Sequence, residues 1–299
     1  MPRILIGTDD GLHELNGAGA AGEVRLAGRA VTALAAQRDS AWAVVGRTEL
    51  WRTTAEEWSA AADGDVDLTC VSPTAGGLLV GSAGARLFRL AEDRLDPLPA
   101  FDGAQGRPDW YTPWGGPPDT RSISEWDDAV YVNVHVGGVL RTTDGGASWT
   151  PTIDIDADVH QVATTGDLVL AACAGGLAVS KDRGGTWAVR DDGLEAPYAR
   201  AVAVCADAVL VSSSNGPRGG RAALYRGSPA GGTLERCRTG LPDWFDDNID
   251  TYCLDALPDG ALAAFGTADG RIYASEDGGA SWGERASGLP PVRRVLVLA

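Results

Sequence analysis

The sequence predicts an all-β chain folded as a seven-bladed β-propeller, with four-stranded antiparallel blades arranged in a ring. Three observations carry that expectation. A box in which Asp and Gly lead to Ser or Thr and then Trp returns as RTTDGGASWT (141–150), VSKDRGGTWA (179–188) and ASEDGGASWG (274–283). Seven short apolar runs, each closing on or near Gly, Ser or Thr, recur along the chain. The chain's ends carry complementary parts of one repeat: the N-terminus opens on a second-strand run, and PVRRVLVLA at the C-terminus reads as a spare first strand.

The box tryptophans fall at 149, 187 and 282, with gaps of 38 and 95, the longer being about two periods of 47. LWRTTAEEWSA, with Trp58, is a weaker copy 91 residues before Trp149. A period of 40–47 residues signals an array of supersecondary units. In each unit an apolar run, a turn, a second run, a short turn and a Gly-apolar-aromatic third run precede the box. The second runs are RILIGT (3–8), AWAVVG (41–46), GLLVGS (77–82), AVYVNVHV (129–136), DLVLAACA (167–174), AVLVSSS (208–214) and ALAAFGT (261–267). Short β-rich runs bounded by Gly and Asp turns are hairpin-linked strands. No stretch has a convincing amphipathic helical pattern. Four strands per unit, lettered A to D, make a propeller blade.

In chain order the blades are expected at 1–27 with 291–299, then 28–64, 65–101, 119–155, 156–196, 197–242 and 247–290, all in one domain of residues 1–299. Residues 102–118 are expected as an insertion over one face. Strand 291–298 would complete the first blade and leave no edge unpaired at the seam.

The three boxes match the S/T-x-D-x-G-x-T/S-W pattern at Thr142–Trp149, Ser180–Trp187 and Ser275–Trp282. The whole chain therefore resembles the Asp-box (BNR) repeat propellers, which include sialidases, xyloglucan-active glycosidases, sortilin-type receptors and photosystem assembly factors. The resemblance implies a fold more than a function, because that fold hosts many activities. It also implies that the box sits in the turn between strands C and D. There Asp144, Asp182 and Asp277 would accept backbone N–H bonds and Trp would wedge between strands, a structural role. The sequence lacks the Arg-Ile-Pro-type start and Tyr–Glu nucleophile pair of a typical sialidase, and xyloglucan enzymes use two propellers rather than one.

Composition narrows the partners. The chain is 44% hydrophobic with 40 Gly and 16 Pro, a folded and turn-rich composition. Its 41 acidic and 25 basic residues give a formal charge of -16, which repels nucleic acid and anionic membrane surfaces. MPRILIGTDDG lacks the apolar core of a secretory signal, and no run approaches the roughly 18 residues of a membrane span. Five cysteines without a CxxC read as buried reduced thiols, and the expected location is cytoplasmic.

A meander places the C–D boxes on one face and the starts of the A strands, with the B–C turns, on the other. Aligning the A-strand starts gives one ionisable residue per blade: Arg29, Asp67, Arg121, His160, Arg200, Asp250 and Arg293. The ring reads either as a solvated tunnel rim or as an anion-binding funnel, since guanidinium forks suit carboxylate and phosphate. His135 falls at the same end of its B strand, within plausible reach of His160 and Asp158. His160, His135, Asp158, Asp250 and Asp119 are the catalytic candidates. Asp67 and Asp247 extend the carboxylates from which a glycosidase pair could be drawn. The same His135, Asp158 and His160 are the candidate ligands for a metal, though they lack metal-motif spacing, and no cofactor is expected. His13 is expected to pack. Trp110, Tyr111 and Trp114 in the insertion either plug a gap between blades or wall a pocket. Trp244 and Asn248, with Phe245, Asp246 and Asp247, are expected over the same mouth. Two functions stay open: a small-molecule site for an anionic or sugar-like ligand, with glycosidase-like hydrolase or lyase chemistry; or a non-catalytic propeller binding a ligand, a peptide or a protein partner along its blade sides.

Overall fold

A computed structural model of the 299-residue chain describes residues 2–16, 22–37, 40–54 and 57–299. Seven antiparallel sheets form a closed ring. Six have four strands in the order A-B-C-D, with A strands at Val31–Gln37, Leu68–Thr74, Thr120–Trp126, Val159–Thr165, Tyr198–Cys205 and Leu254–Ala256. In the seventh, the C-terminal strand Val292–Leu298 pairs as strand A with Arg3–Thr8, which pairs with Gly11–Asn16. Arg25 bridges Leu12 where the fourth strand of that blade belongs. The blade count and the closure by the C-terminal strand are as expected.

The core lies between blades, where apolar side chains of adjacent sheets interdigitate. Val44, Leu50, Val71, Val80 and Phe88 fill one such layer, and Leu79, Leu87, Phe101, Val132, Leu140 and Trp149 the next. The short helix Pro99–Asp102 contributes Phe101, whose ring meets Trp149 edge-on at 5.1 Å. All five cysteines are free and buried.

The three boxes form one repeated turn between strands C and D. Thr142 Oγ1 donates to Asp144 Oδ1 (2.7 Å) and accepts from Gly146 N (3.0 Å). Asp144 in turn accepts from the amide and hydroxyl of Ser148, at 2.9 and 2.6 Å. Ser180, Asp182 and Thr186 repeat this arrangement, as do Ser275, Asp277 and Ser281. The turn requires a left-handed residue after the Asp, and Gly146, Gly184 and Gly279 supply φ of 96°, 90° and 85°. Hydrogen bonds from the Thr186 and Ser281 amides and hydroxyls hold Asp182 and Asp277 down to about 2, and Asp144 is lowered in the same way. Trp58, by contrast, pairs with Thr53 in a tight hairpin, and the Ala55–Glu56 tip of that weaker copy lies outside the described residues.

Side chains latch successive A strands around the axis. Cys70 Sγ reaches Thr120 O (3.6 Å), Ser122 Oγ accepts from Val162 N (2.9 Å), and Gln161 Nε2 donates to Val202 O (2.8 Å). Cys253 Sγ reaches Val292 O (3.7 Å), and Arg294 donates to Leu34 O (2.9 and 3.2 Å). The inner edge of an A strand faces the axis and has no neighbouring strand, so its polar backbone groups need such partners. Tyr252 spans the axis from blade 7 to blade 4: its hydroxyl accepts from Ile123 N (2.9 Å) and donates to Ile123 O (3.1 Å). The Arg294 guanidinium lies 3.2 Å from the centre of the Tyr252 ring. Both residues line a cavity on each face, so together they divide the tunnel in two.

Candidate functional site

What positions the site is a β-bulge at the start of most A strands. The register of A against B slips between Val31 and Ala33, Leu68 and Cys70, Thr120 and Ser122, Val159 and Gln161, and Ala199 and Val202. It slips again opposite Gly7 and Thr8, where Arg293 is the extra residue. The bulged residues are thus Thr32, Thr69, Arg121, His160, Arg293 and the Arg200–Ala201 pair. A bulge breaks the alternation of side chains and re-aims one of them. Here it turns Thr32, Thr69, Arg121, Arg200 and Arg293 into a cavity of about 610 Å³ at the tunnel mouth.

This register corrects the expected ring at two positions. In blades 2 and 3 the structural equivalents of Arg121 are Thr32 and Thr69, not Arg29 and Asp67. Arg29 pairs with Glu49, stacks its guanidinium 5.0 Å from the Trp51 ring and is absent from the cavity lining. Asp67 does line the cavity, paired with Arg47. His160 occupies the bulge of blade 5, yet it is fully buried, with Nδ1 2.7 Å from Ala199 O. Blade 7 presents Asp250 and Thr251 at the corresponding place.

Six arginines and four aspartates line the cavity, a positive excess inside a chain of net charge -16. Half of these charges are held in close ion pairs, Arg47 with Asp67 among them. Arg200 pairs with Asp250 at 2.9 Å, and Arg293 forks onto Asp9 at 2.8 and 2.7 Å. Arg121 differs. Its side chain is 21% exposed, its nearest carboxylate oxygen, on Asp119, is 3.9 Å away, and it donates no hydrogen bond to any described residue. Burial and the neighbouring Arg200 lower its pKa. Arg218 also lines the cavity, exposed and unpaired among the described residues. Asp119 and Asp247 are on the lining too. Burial raises Asp250, but Arg200 more than offsets it and leaves the carboxyl below its usual range.

Beside the cavity, His135, Asp158 and His160 converge. His135 Nε2 lies 3.1 Å from Asp158 Oδ1 and His160 Nε2 3.6 Å from Oδ2. The ring centres of the two histidines are 5.6 Å apart. His135 sits on the B–C turn of blade 4, its amide bonded to Asp119 O at 2.9 Å, which ties the cluster to the cavity wall. Burial keeps both imidazoles below their ordinary range, with Arg121 acting in the same direction on both. Burial alone would raise Asp158, but the histidines and Arg121 bring it below the carboxylate range.

The aromatic candidates separate into three groups. Trp110 packs on Phe101 (6.2 Å) under the Arg107 guanidinium, filling the seam between blades 3 and 4. Trp114, 65% exposed, lies 5.1 Å from the His135 ring, and Tyr111 is 47% exposed; neither lines the 610 Å³ cavity. Trp244 is held between Arg221 (4.4 Å) and Arg236 (3.6 Å) against the core between blades 5 and 6 and is not part of the cavity lining. Phe245 stacks edge-on with Phe265 and Tyr273. Asn248 lines the cavity but spends its amide on Gly216 O (3.2 Å) and Pro217 O (3.3 Å), pinning the B–C loop of blade 6. His13 is half-buried on strand C of blade 1. Arg218, Arg47, Tyr252, Arg294 and the two bulged threonines are among the lining residues that sequence reasoning missed.

No protein-family model matches the chain, and no curated protein is similar to it in sequence. Solved structures do resemble it. An ancestral GH74 enzyme superposes with a TM-score of 0.63 at 11% identity, over 99% of this chain and 40% of that one. U3-55K gives 0.61 at 12% identity, covering 87% and 81% of the two chains. YCF48 from Cyanidioschyzon merolae gives 0.59 at 13%, covering 90% and 94%. YCF48 bound to D1 peptide gives 0.54 at 15% identity, covering 78% and 77%. At such identities the likeness is one of fold alone: this chain is a seven-bladed β-propeller.

Proposed function

We propose that the chain binds a small anion, bearing a carboxylate or phosphate group, in the 610 Å³ cavity at the tunnel mouth. One observation carries this reading: Arg121 is aimed into the cavity by its bulge and has no hydrogen-bond acceptor from the described residues. Its guanidinium meets a carboxylate only at 3.9 Å and without a hydrogen bond, which leaves the planar fork free to take a carboxylate or phosphate. Arg218 supplies a charge at the rim that no described carboxylate pairs, and Arg200 and Arg293 lie on the same wall in ion pairs. The three box turns support the Asp-box resemblance as the source of this scaffold.

Binding is favoured over glycosidase-like catalysis. The proton-donating carboxyl of a glycosidase needs a raised pKa. Asp158 and Asp250 are held below the ordinary range instead. Among the described residues, the one strongly raised carboxyl, Asp255 at about 6, is on the opposite side of the Tyr252–Arg294 partition. One structural neighbour is an enzyme and another holds a peptide, so fold likeness does not decide between these classes. A scaffold role along the blade sides has less support. Apart from Tyr111 and Trp114, the exposed large apolar residues Val24, Trp126 and Val189 are scattered over separate blades.

Calorimetric titration with phosphate, citrate and glucuronate tests the proposal. At least one anion should bind at one site per chain, more weakly as salt rises. Arg121→Gln should weaken that binding about tenfold or more, the worth of a charged hydrogen bond. Equal affinity of wild type and Arg121→Gln for every anion would remove the basis of the reading.

A further inference from the structure

The geometry points to a divalent transition-metal site, of the zinc class, formed by His135, Asp158 and His160 at the edge of the tunnel mouth. The three donor atoms lie within 4.8 Å of one another, on residues of which both histidines are buried. The separations of 3.1 and 3.6 Å bracket the edge of a tetrahedron with bonds of about 2.0–2.1 Å, roughly 3.3 Å.

The tautomer of His160 is the second observation. Ala199 O can only accept, so the proton on His160 Nδ1 must point to it across 2.7 Å. Nε2 is left facing Asp158 with no hydrogen-bond partner, on a side chain that is fully buried. At 3.6 Å it is too far for an N–H donor to the carboxylate, which would close to about 2.7–2.9 Å. A lone pair directed at a carboxylate is repulsive unless a cation lies between them. Asp158 Oδ1 and His135 Nδ1 lack hydrogen-bond partners as well. The simpler alternative, an ion pair of His135 with Asp158, accounts for one contact and leaves His160 Nε2 unexplained. The bond from His160 Nδ1 to a backbone carbonyl is also the arrangement that orients metal-bound imidazoles.

The donor set selects the metal. Two imidazole nitrogens and one carboxylate suit zinc, cobalt, nickel or ferrous iron, and not calcium or magnesium, which prefer oxygen. Each histidine faces a different oxygen of Asp158, so metal entry requires a small rotation of the carboxylate between the rings. Three protein ligands leave a coordination position open. Asp158 is the most exposed member, its side chain 26% accessible, and provides the approach from solvent. Trp114 lies beside the His135 ring and Tyr198 beside the His160 ring, at 5.1 and 4.8 Å.

Full-length protein is stripped with EDTA, then titrated with zinc chloride by calorimetry and with cobalt chloride by visible absorption. The expected result is one metal per chain, with d–d bands of low-coordinate cobalt. Asp158→Asn and His160→Ala should each weaken binding at least about tenfold. Asp158 has φ of 48°, a left-handed conformation that Asn also tolerates, so Asp158→Asn retains the fold even where the buried His160→Ala does not. Absence of stoichiometric binding at micromolar metal overturns the assignment. So does a wild-type affinity in Asp158→Asn. Because neither readout uses an added anion or Arg121, the outcome is independent of the anion-binding test.

Discussion

Two kinds of charged residue follow opposite rules in this propeller. Asp182 and Asp277 are exposed, yet each is saturated by a hydroxyl on either side and an amide beyond it. Arg121 is half-buried and unsatisfied. Saturation marks the boxes as joinery, while the proposed anion site rests on Arg121, which lacks a hydrogen-bonded acceptor among the described residues. The box also sets a pH dependence. The folded pKa values near 2 lie below the unfolded value of about 3.9, so the unfolded chain takes up protons first as pH falls. The stabilisation is therefore complete above about pH 4–5 and is lost as pH falls towards 2. Melting temperatures of wild type and of Asp182→Asn/Asp277→Asn, measured from pH 6 to 2.5, should differ most at the upper end and converge at the lower. A constant gap would show that the two carboxylates are not the cause. The boxes were legible because their bonds join residues within four positions of each other. Arg29 and Asp67 stand three and two residues before the bulged Thr32 and Thr69: blades 2 and 3 carry a threonine instead of a charge at the bulge, so the ionisable residue near the strand start does not mark it. The alternation does carry a trace of that bulge. VTAL, LTCV, TRSI and VHQV each place two consecutive buried residues after the bulged one, where a plain strand would alternate.

At the scale of single elements, the inner strands explain why large polar residues fill the axis. Seven A strands present their inner edges to a common tunnel, and backbone groups there can be matched only by side chains or water. Tyr252 matches both groups of Ile123 across the tunnel, while Arg294 takes Leu34 O from the next blade. Gln161 bonds on both sides, donating to Val202 O and accepting from Tyr252 N at 2.7 Å. Tyr252 adopts φ of 59°, a strained conformation for an aromatic residue, consistent with a position fixed by its partners. Tyr252→Phe keeps the ring under Arg294 but strips the hydroxyl from Ile123. The expected cost is about 1–3 kcal/mol, that of leaving buried backbone groups unmatched. Denaturant unfolding measures it, and a change below about 0.5 kcal/mol would mean that water replaces the hydroxyl. None of this central plug was legible in the sequence, because IDTYCL reads as one more strand start. In the structure, strand A of blade 7 shortens to Leu254–Ala256, and the residues before it turn across the axis.

At the scale of the molecule, one strand closes the ring, and it is also tied to its neighbours on both sides. Strand Val292–Leu298 pairs with Arg3–Thr8 in its own blade. From blade 7, Tyr252 O accepts from Val295 N (3.0 Å) and Asp255 Oδ2 accepts from Val297 N (2.7 Å). Towards blade 2, Arg294 reaches Leu34. This closure was legible because the apolar run at the C-terminus complements the strand missing at the N-terminus. Its ties to blade 7 were not, since Asp255 gives no sign in the sequence that it caps a strand from elsewhere. Val292, Val295 and Val297 are 4%, 2% and 6% exposed. Burial of a valine is worth about 1.5–3 kcal/mol, so the three together contribute about 5–9 kcal/mol. That is comparable with the whole stability of an ordinary domain, about 5–15 kcal/mol. Ending the chain after Pro290 should therefore do more than lower the melting temperature. It exposes the edge of Arg3–Thr8, with Ile4 and Ile6 uncovered, and an unpaired apolar strand edge recruits other chains. The truncated protein is expected to elute as aggregate in size-exclusion chromatography and to lose its cooperative thermal transition. Val295→Ala/Val297→Ala in the untruncated chain should elute as wild type does but melt earlier, separating the packing contribution from the loss of closure. A truncated chain that elutes as wild type does, with an unchanged melt, would show that the ring holds without its seam.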